Sequence, residues 1–101
     1  MTDPEDDPRV RALALLEATH RFPTEYSVSV IVRNDAAVMA QLRDTVEHGL
    51  TARLPVDAYE TVQSSGGKYS SHRFRVPCRT AEDVLDLYDR IRRIDGVMSV
   101  L

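Results

Sequence analysis

The sequence is short of several residue types, and each shortage excludes a class of protein. Cys78 is the single cysteine, which excludes an internal disulfide and a thiol-only metal site. No apolar run approaches the roughly 20 residues that a membrane-spanning helix requires. The first residues also lack the charged, apolar and small-residue pattern of an export signal. We therefore expect a cytoplasmic protein.

Catalytic and cofactor motifs are also missing. A chain of 101 residues holds one domain, which excludes a multidomain enzyme. No serine stands in a Gly-x-Ser-x-Gly elbow. His20, His48 and His72 fall on three separate segments, without carboxylates or thiols at metal-ligand spacing. We therefore expect no enzymatic activity, no cofactor and no metal.

Charge is concentrated at the beginning of the chain. Four of the sixteen acidic residues lie in the first seven positions, accompanied by Pro4 and Pro8. Such a segment repels itself and has little to pack. We expect residues 1–8 to be a disordered acidic tail and residues 9–101 to form a single domain. Without the tail, thirteen basic residues face twelve acidic ones, and Lys68 is the only lysine among them.

The spacing of apolar residues predicts three helices and four strands. The predicted helices cover 9–19, 34–49 and 80–94, and the predicted strands cover 26–33, 56–63, 71–78 and 97–101. The second strand contains Asp57 and Glu60, and charged residues favour the edge of a sheet because they discourage aggregation there. On the last helix, Asp86 and Asp89 stand four residues before Arg90 and Arg93, a spacing that favours ion pairs.

The order of these elements predicts the fold. After the first helix it is strand, helix, strand, strand, helix, strand, the split βαβ arrangement. Two right-handed crossovers place both later helices on one face of a four-stranded antiparallel sheet. We therefore expect an α+β, ferredoxin-like βαββαβ domain with an additional short N-terminal helix.

Several short motifs carry a family resemblance. They are Leu15-Leu16-Glu17, Phe22-Pro23-Thr24-Glu25-Tyr26, Ser64-Ser65-Gly66-Gly67-Lys68-Tyr69-Ser70-Ser71, Leu87-Tyr88, Ile94-Asp95 and Val100-Leu101. Over roughly Leu13 to Leu101 the chain resembles the small bacterial YbeD-like family. The resemblance implies a domain similar to the ACT domain, a regulatory module that senses small molecules. Some members carry a label that links them to the regulation of lipoate metabolism.

The chain departs from the family pattern at two places. The family's first strand typically ends in a glycine, where this sequence has Val32 followed by Arg33 and Asn34. In ACT domains that bind amino acids, glycine there lets the ligand approach the backbone closely, so the substitution argues against amino-acid sensing. Residues 18–21 are an insertion that lengthens the N-terminal helix.

The loop before the third strand is the predicted ligand-binding site, formed by Ser64, Ser65, Gly66, Gly67, Lys68 and Tyr69. A small-residue loop with a lysine presents backbone donors and a cation to a small anion. The alternative is a plain hairpin turn in which the two glycines adopt positive φ and Lys68 is solvated. The glycine spacing differs from that of a nucleotide-binding Walker A loop. Both interpretations stay open.

The outer face of the predicted sheet is the second candidate surface. Ile31 and Arg33 of the first strand and Arg73 and Arg75 of the third point to this face by alternation. They form either a protein-docking face or, as in the RNA-recognition motif, a nucleic-acid face. Tyr69 is the lone aromatic residue of that face, which disfavours RNA. His72 and Cys78 alternate onto the inner face as expected core residues.

We therefore predict a non-enzymatic regulatory or binding module that resembles ACT domains. It would act through self-association or a protein partner, with a small anionic ligand at the Ser64–Tyr69 loop. Edge strands such as 56–63 are available for pairing across a homodimer. The alternative is an RNA-binding protein that uses Arg33, Arg73 and Arg75.

Overall fold

The computed structural model describes residues 7–50, 52–63 and 66–101, without the side chain of Gln63. The helices are α1 (Pro8–Thr19), α2 (Ala36–Glu47) and α3 (Ala81–Arg92), and the strands are β1 (Thr24–Arg33), β2 (Tyr59–Gln63), β3 (Tyr69–Cys78) and β4 (Val97–Val100). After α1 the order is βαββαβ, as the sequence predicts. None of the helices in the described ranges combines the length and apolarity that crossing a membrane requires.

The four strands form one antiparallel sheet in the order β2-β3-β1-β4. The predicted α+β, ferredoxin-like fold is confirmed. Strands β1 and β3 are the central neighbours and pair over ten residues, from Thr24 opposite Cys78 to Arg33 opposite Tyr69. Strand β2 lies at one edge of the sheet, as predicted, and β4 lies at the other.

The core lies between one face of the sheet and helices α2 and α3. Every second residue of β3 is buried, and Val28, Val30 and Val32 of β1 have no exposed surface. This period of two follows from the pleat, which sends successive side chains to opposite faces. The cluster is completed by residues of both helices, among them Leu42, Val46, Val84, Leu87 and Ile91.

Helix α1 packs on α3 instead of on the sheet, and none of its residues is buried. It begins at Pro8, and the side chain of Asp7 accepts a hydrogen bond from the Arg9 amide, which caps the first turn. The expected tail of residues 1–8 is therefore wrong at its last two positions. Its other positions lie outside the described residues.

Arg9 also changes the predicted ion pairing of α3. Its guanidinium lies 2.9 Å from Glu82, 3.1 Å from Asp86 and 3.5 Å from Asp89. The expected pairs with Arg90 and Arg93 do not form within the described part of the chain, because Asp86 and Asp89 face α1. Arg9 of the neighbouring helix α1 binds both carboxylates, and Asp89 also lies 3.7 Å from Arg92.

Residues before β2 correct a further prediction. Val56–Ala58 form one turn of 3-10 helix, so the strand begins at Tyr59 instead of Val56. The turn closes with a 3.0 Å hydrogen bond from the Ala58 amide to the Pro55 carbonyl, and it buries Ala58 in the core. The sequence is rich in strand formers here, but the buried turn replaces the first three residues of strand.

Candidate functional site

The glycine-lysine loop is tied to the turn between β1 and α2. The Asn34 main-chain amide donates to the Lys68 carbonyl at 2.8 Å, and the Asn34 side-chain amide donates to the Gly67 carbonyl at 2.8 Å. Gly67 has φ +71, where glycine is favoured, and a side chain there would meet no atom within 4 Å. The glycine therefore serves the shape of the turn, as the hairpin interpretation expects.

Only part of the predicted ligand loop can be described. Ser64 and Ser65 lie outside the described residues. Gly67 adopts the positive φ expected for a loop glycine. Tyr69 begins β3 opposite Arg33 and is partly exposed. A ligand-binding role for this loop stays a prediction.

Asn34 is a site residue that sequence reasoning missed. The predicted second helix includes Asn34, whereas α2 begins at Ala36 and is capped by the side chain of Asp35, which accepts from the Ala37 and Val38 amides. Asn34 instead spans 33 positions of sequence to reach the loop. Its partner is a main-chain carbonyl, which leaves no residue-type signal in the sequence.

The outer face of the sheet gathers the residues predicted for it. Register places Ile31 opposite Ser71, Ser29 opposite Arg73 and Ser27 opposite Arg75 on the two central strands. Val62 of β2 extends this face beyond Ser71 at one edge. Met98 lies in the bulge where β4 pairs with Ile31 and Val32 at the other edge.

Acidic residues on the same face engage two of its three predicted arginines. Arg73 lies 3.8 Å from the Glu60 carboxylate and donates to the Ser29 hydroxyl at 3.4 Å. Arg75 lies 3.9 Å from the Glu25 carboxylate and donates to the Asp57 carbonyl. These side chains are about half exposed, so each pair contributes roughly 0.2–1 kcal/mol at most. The face is mixed in charge and not the basic surface that the RNA alternative expects.

His72 is buried in the core, as predicted, and is hydrogen-bonded on both sides of its ring. Its Nδ1 lies 2.6 Å from the Tyr59 hydroxyl and 3.3 Å from the Thr61 hydroxyl, and its Nε2 lies 2.8 Å from the Ser70 hydroxyl. Burial lowers the pKa of the imidazole. Both ring nitrogens are thus occupied by structural contacts. Within the described ranges, no three His, Cys, Asp or Glu side chains converge to hold a metal.

The other end of the sheet holds a cavity that the sequence did not reveal. It has a volume of about 680 Å³ and lies between the start of β1, the end of β3, the end of α2 and the middle of α3. Cys78 lines it and is buried, as predicted. Burial, with a smaller contribution from Asp83, raises the pKa of the thiol to about 11, so the thiol is protonated at neutral pH.

The comparisons with known proteins agree with this geometry. The model of a family described as "Protein of unknown function (DUF493)" matches residues 17–101, from the end of α1 through β4. This is the YbeD-like family, so the resemblance carried by the sequence motifs is confirmed. No curated protein matches the chain.

A solved structure shares the fold. The solution structure of protein HP0495 from H. pylori superposes with a TM-score of 0.58 at 16% sequence identity, and the match covers 100% of this chain and 94% of that chain. At this identity the likeness supports the fold alone. It assigns no ligand, partner or activity.

Proposed function

The chain belongs to the DUF493 family of proteins of unknown function, and from that premise we propose that it is a non-enzymatic regulatory module that associates with a second copy of itself. The surface for this association is the outer face of the sheet. We define the outer face by the outward residues of β1 and β3, by Val62 and Leu101, which pair with Ser71 and Ser29, and by the exposed Met98 of the β4 bulge. This assignment follows the ACT-like character that the family resemblance implies.

The observation that carries the proposal is the contrast between the two faces of the sheet. Helices α2 and α3 cover the inner face, whereas no described element covers the outer face. Val62, Met98 and Leu101 are 63%, 59% and 71% exposed there, and Ile31 is half-buried between them. Burying such apolar surface contributes about 25 cal/mol per Å², so a partner of matching shape gains from covering it.

The centre of the outer face is polar. Ser27 and Ser29 of β1 lie opposite Arg75 and Arg73 of β3. The Arg73 guanidinium reaches across to donate to the Ser29 hydroxyl, so it lies over the middle of the face. A partner that covers the whole face must therefore offer polar groups at its centre and apolar groups at its edges.

The charges on the outer face favour a copy of the same chain as the partner. Glu25 and Glu60 alternate with Arg73 and Arg75 and already attract them within one copy. A twofold dimer brings the same surface from both copies together, so that surface must complement itself. A face of mixed sign meets this requirement, whereas a purely basic face repels its copy and attracts nucleic acid.

Sedimentation velocity over a series of protein concentrations tests the proposal. We expect the wild type to form a dimer, and the Val62→Glu/Met98→Glu variant to raise the dissociation constant by at least about tenfold. The matched control is Val10→Glu/Leu15→Glu, which adds the same charge at exposed apolar positions of α1. The control should dimerise like the wild type.

Three results would contradict the proposal. A wild type that stays monomeric up to about 1 mM would exclude a dimer of useful strength. A dimer equally sensitive to both variants, or to the α1 control alone, would place the interface elsewhere. Salt-dependent binding of a single-stranded oligouridine that is lost in the Arg33→Ala/Arg73→Ala/Arg75→Ala variant would replace the proposal with the RNA alternative.

A further inference from the structure

The cavity at the end of the sheet is lined by apolar side chains and by basic side chains. Val46 and Leu50 come from α2 and the residues that follow it, Val76 from β3 and Leu87 from α3. His48, Arg79 and Arg90 line the same space. Its volume of about 680 Å³ lies within the range of small-molecule pockets, and the space is open to solvent on one side.

Arg90 is the residue of this lining whose hydrogen-bonding needs are not met. Its Nε is buried and has no hydrogen-bond partner, and it is the one such side-chain atom found in the part of the chain that the structure describes. The described carboxylates form no ion pair with its guanidinium, because Asp86 and Asp89 turn to Arg9. A buried donor without a partner costs roughly 1–3 kcal/mol.

Arg90 lies on the face of α3 that borders the cavity. Asp83, Leu87 and Arg90 follow each other at helical spacing, so one face of α3 lines the cavity. Arg90 and His48 also line a second, smaller cavity of about 380 Å³, on the side of Gln41 and Arg93. The two residues therefore stand between the two spaces.

The acidic residues of the lining are not placed to satisfy Arg90. The Asp83 carboxylate accepts a hydrogen bond from the Arg79 main-chain amide at 2.9 Å, at the start of α3. Glu25 lies 3.9 Å from Arg75 on the outer face. The cavity thus joins an apolar wall to a guanidinium without a counter-ion, and a planar carboxylate matches that guanidinium through two parallel hydrogen bonds.

From this arrangement we propose that the cavity is a binding site for a small organic monocarboxylate, whose carboxylate pairs with Arg90 and whose apolar body packs on Val46, Val76 and Leu87. Arg79, which lines the same space, adds positive charge near the carboxylate. The site lies at the opposite end of β3 from the glycine-lysine loop. It shares Glu25 and Pro77 with the end of the outer face, and its other walls come from α2, α3 and the inner side of the sheet.

Isothermal titration calorimetry with hexanoate tests the proposal. We expect saturable binding of hexanoate to the wild type, at least about tenfold tighter than that of hexanol, which keeps the apolar chain and lacks the charge. Arg90→Met retains the apolar stem of the side chain and removes the guanidinium group, so it should weaken hexanoate binding by at least about tenfold. The matched control is Arg92→Met, an exposed position of the same helix that lines neither cavity.

The stability of the Arg90→Met variant distinguishes an arginine that binds a ligand from one that supports the fold. Because the Arg90 Nε is unpartnered, Arg90→Met should unfold at the same urea concentration as the wild type, or at a higher one. A large loss of stability would show that Arg90 supports the fold and would overturn its assignment. Chemical-shift mapping of hexanoate on the wild type needs no variant, and shifts confined to Val46, Leu50, Val76 and Leu87 are expected.

Other results would overturn the proposal directly. They are the absence of saturable hexanoate binding up to about 10 mM, hexanoate affinity unchanged by Arg90→Met, and chemical shifts at Gly67 and Lys68 instead of the cavity. Inorganic phosphate that binds as tightly as hexanoate would show a simple anion site without use of the apolar wall.

Discussion

The two ends of the central strands differ in what fills the space beyond them. At one end, Asn34 binds the Gly67 and Lys68 carbonyls, and the Arg33 amide donates to the Gly96 carbonyl at 2.8 Å. At the other end, beyond Cys78, the strands border the cavity lined by Arg90. We call these the closed end and the open end. Hydrogen bonds between turns fill the closed end. The open end is bordered by Arg90, whose buried Nε has no hydrogen-bond partner.

This difference shows that the most recognisable sequence motif and the unsatisfied hydrogen-bond donor lie at opposite ends of the sheet. The glycine-lysine loop is the most recognisable motif of the chain, yet at the closed end the described loop carbonyls are used to hold turns together. Arg90 is one arginine among twelve and carries no motif. Its Nε is nevertheless buried without a hydrogen-bond partner, because the nearby carboxylates of Asp86 and Asp89 pair with Arg9 and Arg92.

The largest expected effect at the closed end is that of Gly96→Ala. Gly96 has φ +101, and a Cβ there would lie 2.8 Å and 3.1 Å from the two methyl carbons of Val38. Both the backbone conformation and the contact oppose a side chain, so we expect a loss of about 2 kcal/mol in the free energy of unfolding. Urea denaturation measures it.

Gly66→Ala is the matched control for this substitution. A Cβ at Gly66 would meet nothing within 4 Å. We expect a change within about 0.5 kcal/mol of the wild type. Equal losses in the two variants would show that the closed end is not tightly packed around Gly96.

A smaller effect is expected for Asn34→Ala. The substitution removes the side-chain donor to the Gly67 carbonyl and keeps the main-chain bond to Lys68. We expect a loss of about 1 kcal/mol in urea denaturation. Asn34→Asp should lose more, because a carboxylate oxygen would then face the carbonyl. If Asn34→Ala were as stable as the wild type, the loop would not depend on this side chain.

The sequence was sufficient for the elements whose pattern is local. Alternation along β1 and β3 defined the inner and outer faces, and the last helix begins at Ala81, one residue from its predicted start. The exceptions depend on contacts between distant segments. Arg9 reached the carboxylates of α3 across more than 70 positions, and Asn34 reached a carbonyl that any residue supplies.

The cavity illustrates the same limit for the candidate site. Its lining comes from β1, β3, α3 and the end of α2, and each lining residue fits an ordinary helix, strand or turn pattern. Only the tertiary arrangement shows that Arg90 lacks a partner. Sequence motifs therefore indicate Lys68 as the candidate ligand-binding residue, whereas the unsatisfied hydrogen-bond donor in the structure indicates Arg90.

The smallest expected effect tests the buried histidine of β3. Because burial lowers the pKa of His72 below 6.5, the unfolded chain takes up a proton more readily than the folded one. Stability is therefore complete above about pH 6.5 and falls as the pH decreases through the lowered pKa. The groups that face the imidazole are the hydroxyls of Tyr59, Thr61 and Ser70, none of which carries a charge that would offset this. Urea midpoints at about pH 7.5 and pH 5.5 should differ in the wild type and differ less in His72→Gln, which keeps a polar side chain but does not titrate. An equal decrease of the urea midpoint in both proteins would assign the pH dependence to other titrating groups. His72 would then stabilise the closed end through packing and neutral hydrogen bonds alone.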